Sequence, residues 1–254
     1  MERCAELRLV VFVGLCLAFG GGPAAAGANA DLRIAVVGAD RSDPAHAAFV
    51  AGVRAAAAAA RAEFSIETSV RDWTARAMTA EAQERVLREV IGAGYEGLVI
   101  VPHAELRWEL FADVVELAGG AVAWAGTGRA GANDAFRREA ARRLAQTMEG
   151  LGADVAIRRS PYFAADIPET AERGEVAGTV AVGVNPAWEP VLRAGDLPAV
   201  VQPDVFGAGF DAVRALGMAL GEPRMEFLPR EETPLVFTPE DADAFAALWL
   251  DWLK

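Results

Sequence analysis

Lysine is almost missing from this sequence. Lys254 is the only one in 254 residues, and every other fixed positive charge is an arginine. With so much alanine beside it, this reads as the codon bias of a GC-rich genome and carries no function. Cysteine is scarce too: Cys4 and Cys16 are the only two, both within the first thirty residues. A chain cut after residue 30 holds none, which excludes disulfides and thiolate metal sites. Positive charge is in deficit, with a net charge of −12. Residues 1–30 contain two Arg and two Glu, so the deficit survives their removal. So acidic a surface makes a poor partner for nucleic acid or an anionic membrane. Histidine is limited to His46 and His103. With no G-x-S-x-G and no nucleophile–base arrangement, a hydrolase has no anchor, and the chain is read as a non-enzyme.

What is present begins with an export signal. Arg3 and Arg8 flank a short charged start, an apolar run follows from Leu9 to Phe19, and small residues end in Ala28-Asn29-Ala30. That is the plan of a cleavable secretory signal peptide over residues 1–30. The apolar run is too short to span a bilayer comfortably, so no stable membrane insertion is expected. No twin arginine precedes it, so export of a folded, cofactor-loaded protein gets no support, and no cofactor is expected. Cys16 follows Leu15, where a lipoprotein box wants a small residue, which argues against a lipid anchor. The expected location is the periplasm. The mature chain of about 224 residues suits one large domain or two small lobes.

Four apolar runs read as strands: Ile34 to Val37, Phe64 to Val70, Leu98 to Val101 and Ala121 to Ala125. Between them, Ala45 to Ala62, Thr79 to Ala93 and Glu105 to Leu117 read as helices, the second bounded by Thr79 with Gln83 and by Gly92 and Gly94. Strand and helix alternating at this spacing predict βαβ units and a parallel sheet. Most of the runs are apolar throughout, as strands covered on both faces are. Phe64 to Val70 alternates and is placed nearer an edge.

The second half is less regular. Asn133 to Met148, Trp188 to Arg193, Phe206 to Leu220 and Pro239 to Leu253 read as helices. Asp154 to Ile157, Thr179 to Val184, Ala199 to Val201, Met225 to Leu228 and Leu235 to Phe237 read as strands. Residues 159–178, with Pro161, Pro168, Gly174 and Gly178, read as mostly loop. The fold class is therefore α/β, with a parallel-sheet, Rossmann-like N-terminal lobe.

Several segments carry a family resemblance. Leu32-Arg33-Ile34-Ala35-Val36-Val37 is followed by Ser42-Asp43-Pro44. Gly94-Tyr95-Glu96-Gly97-Leu98-Val99-Ile100-Val101-Pro102 reads as a turn and strand. Ala194-Gly195-Asp196-Leu197-Pro198-Ala199-Val200-Val201-Gln202, Gly221-Glu222-Pro223, Leu228-Pro229 and the stretch from Leu235 to Asp243 follow in order. In this order the chain resembles the type I periplasmic binding proteins, the ribose-binding-like family that serves ABC importers and chemoreceptors. The resemblance implies two α/β lobes joined by crossovers, with ligand in the cleft: the N-terminal lobe over 31–126 with a return over 203–254, and a smaller, reduced α/β C-terminal lobe over 127–202. There are departures. A stretch is missing between Arg173 and Thr179, and an expected Asn-Asp segment has no counterpart. An Asp-Arg pair after the fourth strand is replaced by Gly126-Thr127, and the aromatic pair of the first loop by Ala45-His46. Much of an ordinary sugar site is therefore absent.

In open parallel sheets ligands bind outside the carboxyl ends of the strands. Loops 38–46, 102–105 and 126–131 are expected there, and they hold His46 and His103 with Asp40, Asp43 and Glu105 as neighbours. Two His with carboxylates fit either a borderline metal site or hydrogen-bond partners for a small polar ligand. Asp43 also reads as a helix N-cap ahead of Pro44. Gly126-Thr127-Gly128-Arg129-Ala130-Gly131 matches G-x-G-x-x-G, but it follows the fourth strand instead of the first, and is read as a hinge between lobes. The resemblance implies ligand contact at Arg173, Asn185 and Gln202; Asn185-Pro186 also reads as a plain turn. The candidate ligand set is Asp43, His46, His103, Glu105, Arg129, Arg173, Asn185 and Gln202, with no catalytic residue and no metal. Trp73, Trp108, Trp249 and Trp252 are assigned to packing.

The leading expectation is a solute-binding protein that closes over a small molecule for an ABC-transporter permease. The alternative is an accessory or sensor partner of another periplasmic protein, derived from a binding protein. An exported metal-binding protein is the third reading.

Overall fold

Ile34 to Val37 is an unbroken, fully buried apolar run, and with Leu32 and Arg33 before it forms an inner strand, Leu32–Val37, of a four-stranded sheet. The computed structural model describes residues 32–103, 120–124, 155–157, 160, 162, 180–229 and 236–252. The first sheet holds β1 (Leu32–Val37), β2 (Thr68–Asp72), β3 (Gly97–Ile100) and β4 (Ala121–Trp124), all parallel, in the order β2-β1-β3-β4. Successive side chains of β1 bury on opposite faces, because a strand alternates with period two. Ile34 and Val36 join one core; Ala35 and Val37 join another with Leu87 and Val90. The expected helices at Glu105 to Leu117 and Asn133 to Met148, the glycine-rich stretch 126–131 and the signal segment lie outside the described residues.

Helix α1 (Pro44–Phe64) starts where Asp43 accepts a hydrogen bond from the Ala45 amide, with Pro44 in the first turn. It runs further than the sequence suggests. Phe64 is its last residue and not the first of a strand, because Ser65 takes a left-handed conformation (φ 56°) and returns its N–H to Arg61. Strand β2 therefore begins at Thr68 and ends at Asp72. It alternates buried and exposed residues and lies at the sheet edge, as its pattern implies. Helix α2 (Ala80–Gly92) is capped by the Thr79 side chain.

The second sheet is smaller: β5 (Val155–Ile157), β6 (Val180–Val182), β7 (Val200–Val201) and β8 (Val236–Phe237), in that order. The first three are parallel and β8 is antiparallel to β7. A 3-10 turn, Pro186–Trp188, leads into the short helix α3 (Glu189–Arg193). Helix α4 (Val205–Ala219) leaves β7 and packs on α1, β3 and β4 of the first sheet. Helix α5 (Ala242–Trp252) packs on α3 and α1. Within 203–254, then, α4 returns to the first sheet while β8 completes the second.

One expected strand is absent. Met225 to Leu228 lies in a 3-10 helix, Pro223–Phe227, and the loop after it. Pro223 fixes the entry backbone angle, and Met225 sinks fully into the core against Gly217, where a Cβ would stand 2.3 Å from its Cγ.

Helices α1 and α4 cross at backbone contact. A Cβ on Gly52 would fall 1.9 Å from the Phe206 carbonyl oxygen, and one on Gly209 would fall 2.1 Å from that of Phe49. One continuous core runs from Ile34 and Phe49 through Phe210 and Leu216 to Val200, Phe237 and Phe245. The two sheets are thus held by shared apolar packing.

Candidate functional site

The chain leaving the carboxyl end of β1 makes a loop, Gly38 to Asp43, before α1. Thr74, beyond the end of β2, fixes its start: the Gly38 N–H donates to Thr74 Oγ1 at 2.7 Å. Gln83, wholly buried on α2, ties it to the end of β3. Its Nε2 donates to the Gly38 and Val101 carbonyls at 2.8 and 2.9 Å, and its Oε1 accepts from the His103 N–H at 2.7 Å. Buried polar groups with all capacity used in this way hold loops in one arrangement.

At the centre of this edge lies a buried chain of three polar side chains. His46 Nε2 is 2.9 Å from Asp72 Oδ2, and His46 Nδ1 is 2.6 Å from the Tyr162 hydroxyl. A carboxylate only accepts, so Nε2 carries the proton; Nδ1 of the neutral ring then accepts from the phenol. This tautomer is assigned from its partners. Burial works to raise the pKa of Asp72, but the hydrogen bonds from His46 and from the Thr74 amide and hydroxyl outweigh it and hold the carboxyl below the ordinary range. Burial first, then the charges of Asp43 and Asp72, push the Tyr162 hydroxyl well above the usual phenol range. It remains a proton donor at any physiological pH.

Tyr162 follows β5 of the second sheet, so its bond to His46 joins the carboxyl ends of the two sheets. A second link runs beside it: Ser160 Oγ donates to Asp43 Oδ2 at 2.7 Å. Asp43 is therefore both the expected helix cap and a tie between lobes. Tyr162 is 1% exposed, with its ring against Phe49 at 5.5 Å. The structure brings Asp43 and His46 together in this way.

His103 stands at the end of β3, anchored through its backbone to Gln83. Asn185 behaves as the plain turn: its Oδ1 accepts from the Ala187 N–H at 3.2 Å and caps the 3-10 turn. Gln202 lies at the carboxyl end of β7, where the chain crosses to α4; it is 2% exposed, and its Oε1 has no hydrogen-bond partner. Glu105, Arg129 and Arg173 lie outside the described residues.

The metal reading is corrected at His46. Both ring nitrogens are engaged by protein partners, so no lone pair faces an ion. Among the described residues no group of three or more His, Cys, Asp or Glu is placed to hold a metal.

Sequence reasoning missed Gly38, Asp72, Thr74, Gln83, Ser160 and Tyr162. For Asp72 a signal existed: the strand-end rule that selected loops 38–46 and 102–105 selects it once β2 ends correctly. For Tyr162 the only hint was rarity, since the chain has two tyrosines.

No protein-family model and no curated protein sequence matches the chain. Solved structures do match in fold. A solute-binding protein from Agrobacterium vitis, bound with alpha-D-tagatopyranose, superposes with a TM-score of 0.53 at 13% identity, over 86% of this chain and 99% of that one. A sugar-binding protein of an ABC transporter from Bacillus halodurans gives 0.52 at 13%, over 84% and 99%. A LacI-type transcriptional regulator from Bacteroides fragilis gives 0.53 at 11%, over 85% and 99%. The chain has the α/β fold of the type I periplasmic binding proteins. No helix among the described residues is long and apolar enough to cross a membrane.

Proposed function

We propose that this chain is an exported solute-binding protein, which takes a small polar molecule between its lobes and presents it to an ABC-type importer. The observation that carries the reading is Gln202. A buried amide oxygen without a donor is uncommon in folded proteins and points to a missing partner. Gln202 places one at the strand edge where ligands of open α/β sheets bind. Of the other candidates, His103, Glu105, Arg129 and Arg173 are proposed ligand contacts, while Asp43, His46 and Asn185 already use site-facing atoms within the protein.

Thermal shift of the mature protein against sugars, amines, alcohols and metals tests the reading. Saturable stabilisation by one small solute, lost in Gln202→Ala, is expected; at a hundredfold excess over Kd it amounts to about 2.7 kcal/mol. A flat panel for a folded protein removes it. The second reading, an accessory or sensor partner, is favoured by Tyr162 and Ser160, which fill the meeting place of the lobes with the chain's own groups. It predicts the flat panel together with stabilisation by a purified periplasmic partner from the same organism.

A further inference from the structure

Gly38 is bare for a reason that lies across the cleft. A Cβ there would stand 2.3 Å from the Tyr162 hydroxyl oxygen, and 3.0 Å from both His46 Nδ1 and Thr74 Oγ1. The hydroxyl thus sits in a cup whose floor must be glycine. His46 Nδ1 supplies an acceptor, held in the right tautomer by Asp72 on the other ring nitrogen. Phe49 supplies an apolar wall for the ring, and His46 itself meets the ring edge-on at 5.6 Å between centroids. His46, Phe49 and Thr74 are each at most 4% exposed. Except for Tyr162, every part of this cup belongs to the first lobe; Tyr162 enters from the second.

We infer that the first lobe carries a binding seat for a small phenol, and that Tyr162 fills it as a resident ligand which keeps the lobes together. The seat needs one hydroxyl donor and one flat apolar ring, so its ligand class is a phenol, with aliphatic alcohols lacking the ring contact. A free phenol of this size competes with Tyr162 for the same atoms. The inference does not rest on transport: the seat stands whether or not the cleft carries a solute.

The test is chemical replacement of the missing side chain. Tyr162→Gly removes the p-cresol portion of the residue and leaves the cup intact. In calorimetric titration, p-cresol is expected to bind this variant saturably with one site and to raise its melting temperature, while the wild type takes none. Toluene, which lacks the hydroxyl, is expected to bind roughly ten- to hundredfold more weakly, and His46→Leu in the same background to weaken p-cresol by a similar factor. Absence of binding to a variant with native circular dichroism overturns the seat. So does equal binding of toluene and p-cresol, or equal binding of p-cresol to the wild type. Should Tyr162→Gly fail to fold, the conservative Tyr162→Phe gives a second readout. The chain has two histidines, so imidazole 15N spectra contain two rings. In the wild type His46 is expected as the Nε2–H tautomer with Nδ1 shifted by an accepted hydrogen bond. That shift is lost in Tyr162→Phe. An unchanged Nδ1 resonance overturns the proposal.

Discussion

The two sheets of this protein share a core and little else. Strands of the first run to six, five, four and four residues; those of the second to three, three, two and two. The first sheet is flanked on one face by α1 and α4 and on the other by α2. It positions His46, Asp72 and Gln83 on helices and a strand, and Gly38 and Thr74 in the loops that leave its strands. The second lends Ser160, Tyr162 and Gln202 from short strands. Two-residue strands cannot order themselves by ladder hydrogen bonds alone. Their order comes from the apolar core they share with α1 and α4, and from the ties at Ser160 and Tyr162. The difference teaches where the scaffold ends: one lobe is built to hold a constellation, and the other is held by it.

The largest effect is expected at the joint on which both lobes depend. Gly52→Ala drives a methyl into the Phe206 carbonyl, an oxygen of the facing helix backbone that has no rotamer to escape through. Overpacking of this kind costs about 3 kcal/mol or more. Urea unfolding is expected to show the loss as one transition, with both sheets failing together; two separate transitions break the picture of a shared core.

A smaller effect is expected at Asp72. Its folded pKa lies below the ordinary range, so its contribution to stability is full above the unfolded carboxyl value of about 3.9 and is lost as pH falls through the folded value. Asp72→Asn is expected to lose about 1–3 kcal/mol at neutral pH, and to show a flatter loss of stability on acidification than the wild type. An acid limb of unchanged steepness contradicts this. The smallest effect belongs to Ser160→Ala. It removes one hydrogen bond between the lobes, while Asp43 keeps the Ala45 amide. About 1 kcal/mol is expected, read by hydrogen exchange as faster opening of the second sheet with the first unchanged. Equal acceleration in both sheets would make the contrast between them false.

How much of this was legible beforehand follows the same division. The first sheet announces itself, because β3, β4 and the Ile34 to Val37 part of β1 are unbroken apolar runs spaced by helical segments. Asp43 was readable as a cap because Pro44 follows it. Starting β2 four residues early and ending it two early came from Phe64 to Val70, whose alternation begins inside α1; no sequence rule marks Ser65 as the left-handed stop. That single slip hid Asp72. Met225 to Leu228 reads as a strand because its apolar residues mimic one, while the glycine that receives Met225 lies on another helix. Tyr162 was beyond reach for a deeper reason. Its meaning depends on Gly38 and His46, more than a hundred residues earlier, and on a crossing of two lobes that no local pattern encodes. His46 follows the first strand, as the sequence places it, and its ring partners are Asp72 and Tyr162.

A ligand attached by its own backbone obeys different arithmetic from one in solution. Tethering presents a group to its site at an effective concentration in the ~mM range for short connections. Tyr162 therefore sets a threshold: a free competitor must approach that level, or bring contacts elsewhere, before it wins. Below the threshold the lobes stay joined, whatever the amount of protein present. Any partner that recognises the joined lobes then finds the same surface whether or not a competitor is present below that level.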